Sequence, residues 1–321
     1  MLRALAKQKF TTRYSAKARS QILNDIPALK CRAIEEPSYC FASKPIIAMT
    51  IDTHVHFWKY DKKRDSWMKD MKILQQNYFP ENIAQTLSRN GVDGCVAVQA
   101  DQSELETHFL VELANTHPII KGVVGWIDLQ NDNIEERLAY FSQYPIIKGW
   151  RHVAQGEPLD FLLRKNFQRG ISYLQPMGYT YDILIYHNQL KPAVEFVSAF
   201  PEQKFIVDHC AKPDIKNKKI DEWAVLMREM AKHPNVCCKL SGLFTEAAWK
   251  QWSAGDFYPY LDVVFDAFGV DRLMFGSDWP VILVSGIYVQ WKSLLEKYME
   301  NFSEDDRLKV FVENAERFYN L

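Results

Sequence analysis

One pattern constrains this chain more than any other. From residue 50 to the end, short apolar runs alternate with longer stretches of helical periodicity, eight times over. The runs cover 50–58, 94–100, 122–128, 146–153, 181–185, 204–209, 236–241 and 272–278. Most lack a polar face, as expected of strands covered on both sides in a parallel sheet. The stretches between them carry helix signals. Pro80 stands at a first helical position, with Ile83, Ala84 and Leu87 on one face and Asn90-Gly91 as the stop. Leu105, Phe109, Leu110 and Leu113 share helical register, as do Ile134, Leu138 and Phe141, and Gly269 ends a helix over 258–268. Ser303 opens a closing helix that runs through Phe318. Eight strand–helix units over about 270 residues predict an α/β fold, a closed (β/α)8 TIM-type barrel rather than an open doubly wound sheet. No G-x-G-x-x-G follows a strand, so a dinucleotide cradle is not expected.

Residues 1–48 break the pattern. No acidic residue precedes Asp25, whereas Arg3, Lys7, Lys9, Arg13, Lys17 and Arg19 are basic. A basic, hydroxyl-rich, acid-free start has the composition of a transit peptide and lacks the apolar core of a secretory signal. Met49 stands just before the first run and would serve as a start. The expectation is a poorly ordered extension over 1–48, either a transit peptide or a start-site artefact, and one barrel domain over 49–321. The location expected is cytoplasmic, or mitochondrial if 1–48 is a transit peptide. A net charge of −1 gives no electrostatic case for nucleic acid. No apolar run approaches the roughly 18 residues that cross a bilayer. Cys31, Cys40, Cys95, Cys210, Cys237 and Cys238 form no C-x-x-C pair, so reduced thiols are expected rather than a disulfide or zinc framework.

In a (β/α)8 barrel the chemistry collects at the C-terminal ends of the strands. Those ends read His54 and His56; Gln99; Asp128; Arg151 and His152; Asp182; Asp208 and His209; Lys239 and Ser241; Ser277 and Asp278. The first run alternates polar and apolar residues, which places Asp52, His54 and His56 on one face with the two imidazoles about 7 Å apart. Such a pair binds one metal ion or clamps an anion, unless the run is an ordinary strand with two histidines. Each other residue has a bland reading as well. Asp128 caps a helix, Asp208 accepts a loop hydrogen bond, Lys239 pairs with a carboxylate inside the barrel, and the tryptophans pack.

Five blocks taken in order narrow these readings. Asp52-Thr-His-Val-His-Phe-Trp58, Trp150-Arg-His-Val153, Val207-Asp-His-Cys-Ala-Lys-Pro213, Lys239-Leu-Ser-Gly-Leu243 and Phe275-Gly-Ser-Asp-Trp-Pro-Val281 resemble the amidohydrolase superfamily. Within it they resemble the amidohydrolase-2 branch, which contains sugar lactonases and 2-pyrone-4,6-dicarboxylate lactonase. The resemblance runs from about residue 50 to 321 and implies a distorted barrel. It implies that His54 and His56 are the first-strand pair of the metal site, that His209 comes from a later strand, and that Asp278 takes a proton from the attacking water. One divalent ion, Zn²⁺ first, is expected on His54, His56 and Asp278, with a metal-free histidine cluster as the alternative. Binuclear relatives place a bridging lysine or glutamate on a middle strand. Here the fourth strand ends in Arg151-His152, so two ions are not expected.

Substrate chemistry follows from the same strand ends. A pyrone dicarboxylate calls for several arginines, and Arg151 is nearly alone. A neutral sugar lactone calls for mixed hydrogen-bonders and aromatic faces, which Trp58, Gln99, Trp126, Trp150, Tyr181 and Trp279 offer. The expected activity is hydrolysis of an aldonolactone, with Arg151, His152, Gln99, Trp58 and Lys239 around the substrate. A metal-dependent decarboxylase on the same scaffold and a non-catalytic ligand-binding barrel are the competing classes. The partner expected is a small-molecule lactone, and a homo-oligomer is left open.

Overall fold

The computed structural model describes residues 50–321. The extension over 1–48, with Cys31 and Cys40, lies outside the described residues. Eight strands follow one another: β1 (Ile51–Val55), β2 (Gly94–Val98), β3 (Ile120–Gly125), β4 (Ile147–His152), β5 (Thr180–Ile183), β6 (Phe205–Val207), β7 (Val236–Leu240) and β8 (Leu273–Phe275). They pair in parallel, each with the next in sequence. All their residues are buried except Lys121 and Lys148, which is why they read as continuous apolar runs.

The two ends of the sheet meet through specific bonds. Thr53 Oγ1 donates to the Phe275 carbonyl (2.7 Å) and the Asp278 N–H to the His54 carbonyl (2.9 Å). The Asp52 carboxylate accepts from the Ser277 N–H (2.9 Å) and the His54 N–H (3.1 Å). Asp52 therefore closes the barrel seam, where the alternating pattern alone had grouped it with the histidines.

A helix follows each strand: α1 (Pro80–Arg89), α2 (Glu104–Thr116), α3 (Ile134–Phe141), α4 (Lys165–Ser172), α5 (Leu190–Ser198), α6 (Asp221–Met230), α7 (Tyr258–Phe268) and α8 (Tyr288–Tyr298). The Ser103 hydroxyl caps α2 by accepting from the Glu106 N–H (3.2 Å). Helix α8 has no counterpart in the sequence reading. Its Trp291 indole N–H donates to the carbonyls of Leu240 (3.1 Å) and Gly276 (2.8 Å), tying it to the ends of β7 and β8. The long connection over 59–79 folds back on the barrel, where Trp58 and Tyr78 exchange backbone hydrogen bonds of 2.9 Å.

The closing segment is broken into Glu304–Leu308, a π-turn over Lys309–Glu313, and Asn314–Tyr319. Phe318, Tyr319 and Leu321 pack on Val96, Val98, Val124, Ile206, Cys237 and Met274, the inward residues of five strands. This end of the chain plugs the barrel opposite the strand C-termini. Cys95, Cys210, Cys237 and Cys238 are free and buried, as expected of reduced thiols. Among the described residues no helix is long and apolar enough to cross a membrane.

Candidate active site

Irregular backbone at three strand ends brings the site together. Strand β1 stops at Val55, so His56 is free of the flat pleat and its Nε2 comes to 3.1 Å from that of His54, with ring centroids 4.8 Å apart. That is closer than the 7 Å spacing of a regular strand. Strand β6 stops at Val207, two residues earlier than its apolar run suggests. His209, Cys210, Ala211 and Lys212 then take φ of 54°, 52°, 55° and 46°, a left-handed turn closed by the Lys212 N–H on the His209 carbonyl (2.9 Å). For non-glycine residues this conformation costs roughly 1–2 kcal/mol each. The turn swings the His209 ring into the barrel mouth. Gly242, at φ 67°, makes room for it: a Cβ there would lie 2.5 Å from His209 Nδ1. Asp278 is also left-handed, at φ 61°.

The result is a ring of three imidazoles around one carboxylate. Asp278 Oδ1 lies 3.8 Å from His54 Nε2, 3.4 Å from His56 Nε2 and 3.9 Å from His209 Nε2. His56 Nδ1 is 2.8 Å from the Val98 carbonyl. A carbonyl only accepts, so Nδ1 carries the proton and Nε2 presents a lone pair to the site. His209 Nδ1 pairs with the Ser241 hydroxyl (2.8 Å). Burial pushes all three histidines down, His209 to about 3, which keeps them neutral. Burial also acts to raise Asp278, but His209, His56 and His54 outweigh it when they are protonated and hold the carboxyl below its usual range, so on acidification a proton settles on an imidazole before it settles on the carboxylate. Asp278 is therefore a carboxylate at neutral pH.

A layer of charge lies beneath. Arg151 Nη1 donates to Asp208 Oδ2 (3.0 Å) and lies 3.2 Å from His54 Nε2, while Nη2 donates to the Gln99 carbonyl. Lys239 Nζ contacts Asp182 Oδ2 (2.6 Å), Asp208 Oδ1 (3.0 Å) and His54 Nδ1 (3.2 Å). Asp208 is held well below its usual range, since Lys239, His54 and Arg151 outweigh its burial, whereas burial lifts Asp52 and Asp182 to about 6. Arg151 and Lys239 pair with Asp208 and Asp182, whereas Asp278 pairs with no lysine or arginine among the described residues, which leaves its charge to be met by a bound cation such as a divalent metal ion.

The donor set fits such an ion. His54, His56 and Asp278 form one group able to hold a metal, and His54, Asp208 and His209 a second that shares His54. Spacings of 3.1–3.9 Å among the Nε2 and Oδ1 atoms bracket the roughly 3.3 Å that separates ligands around a tetrahedral zinc.

The amidohydrolase family profile matches residues 51–321. The chain belongs to the amidohydrolase family. This amidohydrolase, a hydrolase, is 36% identical over 287 residues to the L-fucono-1,5-lactonase of Burkholderia multivorans, covering 85% of the chain and 97% of that relative. It is 28% identical over 204 residues to the L-rhamnono-gamma-lactonase of Scheffersomyces stipitis, covering 56% of the chain and 61% of that protein. Among solved structures, an amidohydrolase from Burkholderia multivorans with bound zinc superposes with a TM-score of 0.82 at 36% identity, over 85% of this chain and 99% of that one. The putative 2-pyrone-4,6-dicarboxylic acid hydrolase of Pseudomonas putida, at 17% identity and a TM-score of 0.65 over 84% and 97% of the two chains, shares the fold. The expected barrel and the expected family are both present.

The residues singled out for substrate fall into distinct places. Arg151 and Gln99 flank the histidines. The Gln99 amide donates to the Arg151 carbonyl (3.2 Å), while Gln99 Oε1 and Arg151 Nε are buried without a hydrogen-bond partner among the described residues. His152 stacks on Phe161 (4.5 Å), accepts from the Trp126 indole at Nδ1 (3.3 Å) and so donates from Nε2 to Glu157 (3.0 Å). Trp58 is buried, its indole donating to the Gln76 carbonyl (2.9 Å) and its ring 6.4 Å from that of His56. Lys239 is fully enclosed and reaches the site through His54 and Asp208, the ion-paired arrangement weighed from sequence. Trp150 and Tyr181 leave the site, for their rings pack on Phe141 (5.4 Å) and Phe196 (6.2 Å). Sequence reasoning missed Gly242, whose signal is a glycine just after a strand-end serine. It also named Asp182 without a role and read Asp208 as the acceptor of a loop hydrogen bond, whereas Asp208 pairs with Arg151 and Lys239.

Proposed function

We propose that this amidohydrolase opens a sugar lactone to its aldonic acid. The observation that carries the proposal is the ionised Asp278 ringed by three neutral imidazoles at the barrel mouth. The likeness to L-fucono-1,5-lactonase over nearly all of that protein's length supports it. In this reading Asp278 Oδ1 takes a proton from water as the water oxygen attacks the lactone carbonyl. The new C–O bond pushes the carbonyl electrons onto oxygen, and the Arg151 cation offsets that charge. Collapse breaks the bond to the ring oxygen, which recovers the proton from Asp278 and leaves as a hydroxyl. When a divalent ion is bound by His54, His56 and Asp278 with His209 alongside, it supplies charge that polarises a carbonyl and acidifies water. Zn²⁺ is the ion this nitrogen and oxygen set favours.

Gln99, His152 and Trp58 would line the substrate's hydroxyl-bearing side. Arg151 is the one arginine among the strand-end residues described, which suits a neutral lactone better than a pyrone dicarboxylate or the carboxylate clamp of a decarboxylase. Buried free thiols suit a reducing, cytoplasmic setting. The test is acid release from a panel of aldonolactones led by L-fucono-1,5-lactone, with zinc-loaded and chelator-treated protein. Turnover supports the reading, and its loss or survival on chelation separates metal-dependent from metal-free histidines. No turnover of any lactone in either state refutes it, and carbon dioxide release from an unsaturated acid would install the decarboxylase in its place.

A further inference from the structure

The turn that aims His209 ends on a residue with no task assigned so far. Lys212 closes that turn, its N–H donating to the His209 carbonyl (2.9 Å). Opposite, Gly242 abuts the His209 ring, and the short helical turn Leu243–Glu246 rises from that glycine. Lys212 and Glu246 each stand about one turn beyond this contact, and their side chains meet, with Lys212 Nζ 3.8 Å from Glu246 Oε1. The backbone holds both in place. The Lys212 carbonyl accepts from His187 Nδ1 (3.0 Å) and the Glu246 carbonyl from the Lys216 N–H (3.0 Å). The pair thus sits on the connections after β6 and β7, tied to the one after β5, at the same end of the barrel as Asp278.

Both side chains keep unused hydrogen-bonding capacity. At 3.8 Å the ammonium and the carboxylate are too far apart for a hydrogen bond. Among the described residues Lys212 Nζ has no other carboxylate, only the Tyr186 ring with its centroid at 5.5 Å, and Glu246 has the Thr245 hydroxyl at 3.4 Å. Yet the two side chains are only 15% and 19% exposed, so bulk water does not serve them freely. Burial raises the Glu246 carboxyl, Lys212 draws it down, and the Asp278 charge raises it again, so the pair lies within reach of the reacting carboxylate's field. An ion pair placed for stability closes to hydrogen-bond distance; this one stays open.

The open pair is complementary to a diol. An ammonium only donates and a carboxylate only accepts, whereas a hydroxyl does both. Two neighbouring ring hydroxyls can therefore span it, one accepting from Lys212 and the other donating to Glu246. A few polar groups placed in this way fix a ligand's orientation and supply specificity. We propose that Lys212 and Glu246 form a diol-reading pair that makes this amidohydrolase select polyhydroxylated lactones over bare ones. The substrate class rests on the lactonase reading; the pair's affinity for a diol does not.

A site built to bond hydroxyls leaves its polar groups unpaired when they are missing, and so rejects the analogue. The test uses the full chain and two lactones of the same ring size, L-fucono-1,5-lactone with its ring hydroxyls and δ-valerolactone with none. The readout is the ratio of kcat/KM, hydroxylated over bare. Lys212→Met keeps an unbranched stem and removes the charge, and Glu246→Met removes the acceptor. The wild type should prefer the hydroxylated lactone, and each variant should lose about 10–100-fold of that preference, as expected for a hydrogen bond to a charged group. The double variant should lose less than the product of the two, because both residues read one diol. An ion pair that only ties two loops would instead lower the urea midpoint and slow both lactones alike. Equal losses on the two lactones overturn the proposal, as does a wild type without the preference. If the wild type opens neither lactone, the proposed function fails, and calorimetry with L-fucose, a hydroxylated ring without the lactone carbonyl, decides the pair by itself. Binding that Lys212→Met abolishes sustains the diol-reading pair, and absent or unchanged binding overturns it.

Discussion

Replacing Gly242 with alanine tests whether His209 works from the place its left-handed turn assigns it. The added Cβ would lie 2.5 Å from His209 Nδ1 and 2.6 Å from Cγ, whereas ordinary contact begins at 3.4 Å, so the ring must retreat by about 0.9 Å. The retreat breaks the 2.8 Å contact with Ser241 and shifts Nε2 relative to Asp278. Misplacing a catalytic group by about 1 Å costs on the order of 10²-fold in rate, or about 2.7 kcal/mol of transition-state stabilisation. Alanine at φ 67° adds a separate cost of about 1–2 kcal/mol in folding stability. Activity is read as kcat/KM for L-fucono-1,5-lactone with a pH indicator, and stability from a urea transition on the same preparation. The expected outcome is a folded protein about 100-fold slower. A folded variant with kcat/KM within about threefold of wild type, well short of the loss that a misplaced group incurs, would refute the claim that the position of His209 matters.

Other substitutions probe the remaining parts. Asp278→Asn keeps the shape and removes the proton acceptor, so kcat should fall 10²–10⁴-fold, the usual contribution of a general base, while lactone binding measured by calorimetry persists. Arg151→Ala leaves Asp208 short of a buried partner, which costs about 3–5 kcal/mol and should lower Tm by roughly 10 °C in a domain of this size; an unchanged melting curve would show that the pair contributes nothing. Glu106 is buried in the first turn of α2 and lifted by that burial to about 7. The folded state therefore resists its ionisation, and the penalty is absent below about pH 4.5, grows through pH 7 and then levels at about 3 kcal/mol. Glu106→Gln should raise the urea midpoint at pH 8 and leave it nearly unchanged at pH 4.5; an equal shift at both values would mean the carboxyl ionises freely.

The barrel was legible because strands covered on both faces must be apolar along their whole length, and all eight were found. The ends were less legible. The run through His209 reads as one strand because nothing local marks the turn at Asp208: the left-handed residues are His209, Cys210, Ala211 and Lys212, none of them glycine. That turn is imposed by packing against Gly242 and Ser241, more than 30 positions away, and no window of sequence contains both. Helix α8 escaped notice because its anchor, Trp291, bonds to the Leu240 carbonyl at the end of β7 and the Gly276 carbonyl just after β8 rather than to its neighbours. The site histidines and Asp278 could be named because ionisable groups at the ends of apolar strands need a reason to be there. The division of labour among the aspartates could not, because seam closure by Asp52, ion pairing by Asp182 and Asp208, and the imidazole ring around Asp278 are settled by partners 50 to 230 residues distant.

The turn over residues 209–212 also bears on how this enzyme responds to selection. Glycine at position 210 or 211 would relieve about 1–2 kcal/mol of conformational strain against about 0.5–1 kcal/mol of added chain entropy on unfolding. Cys210 and Ala211 are also fully buried in the core, and removing even the Ala211 methyl forfeits about 0.8 kcal/mol. The terms nearly cancel, so a screen for heat resistance alone would neither enrich nor purge glycine at position 211. A screen for turnover would act there instead, because the turn aims His209, and a search for a robust catalyst should leave the turn unchanged and look to the outer helices.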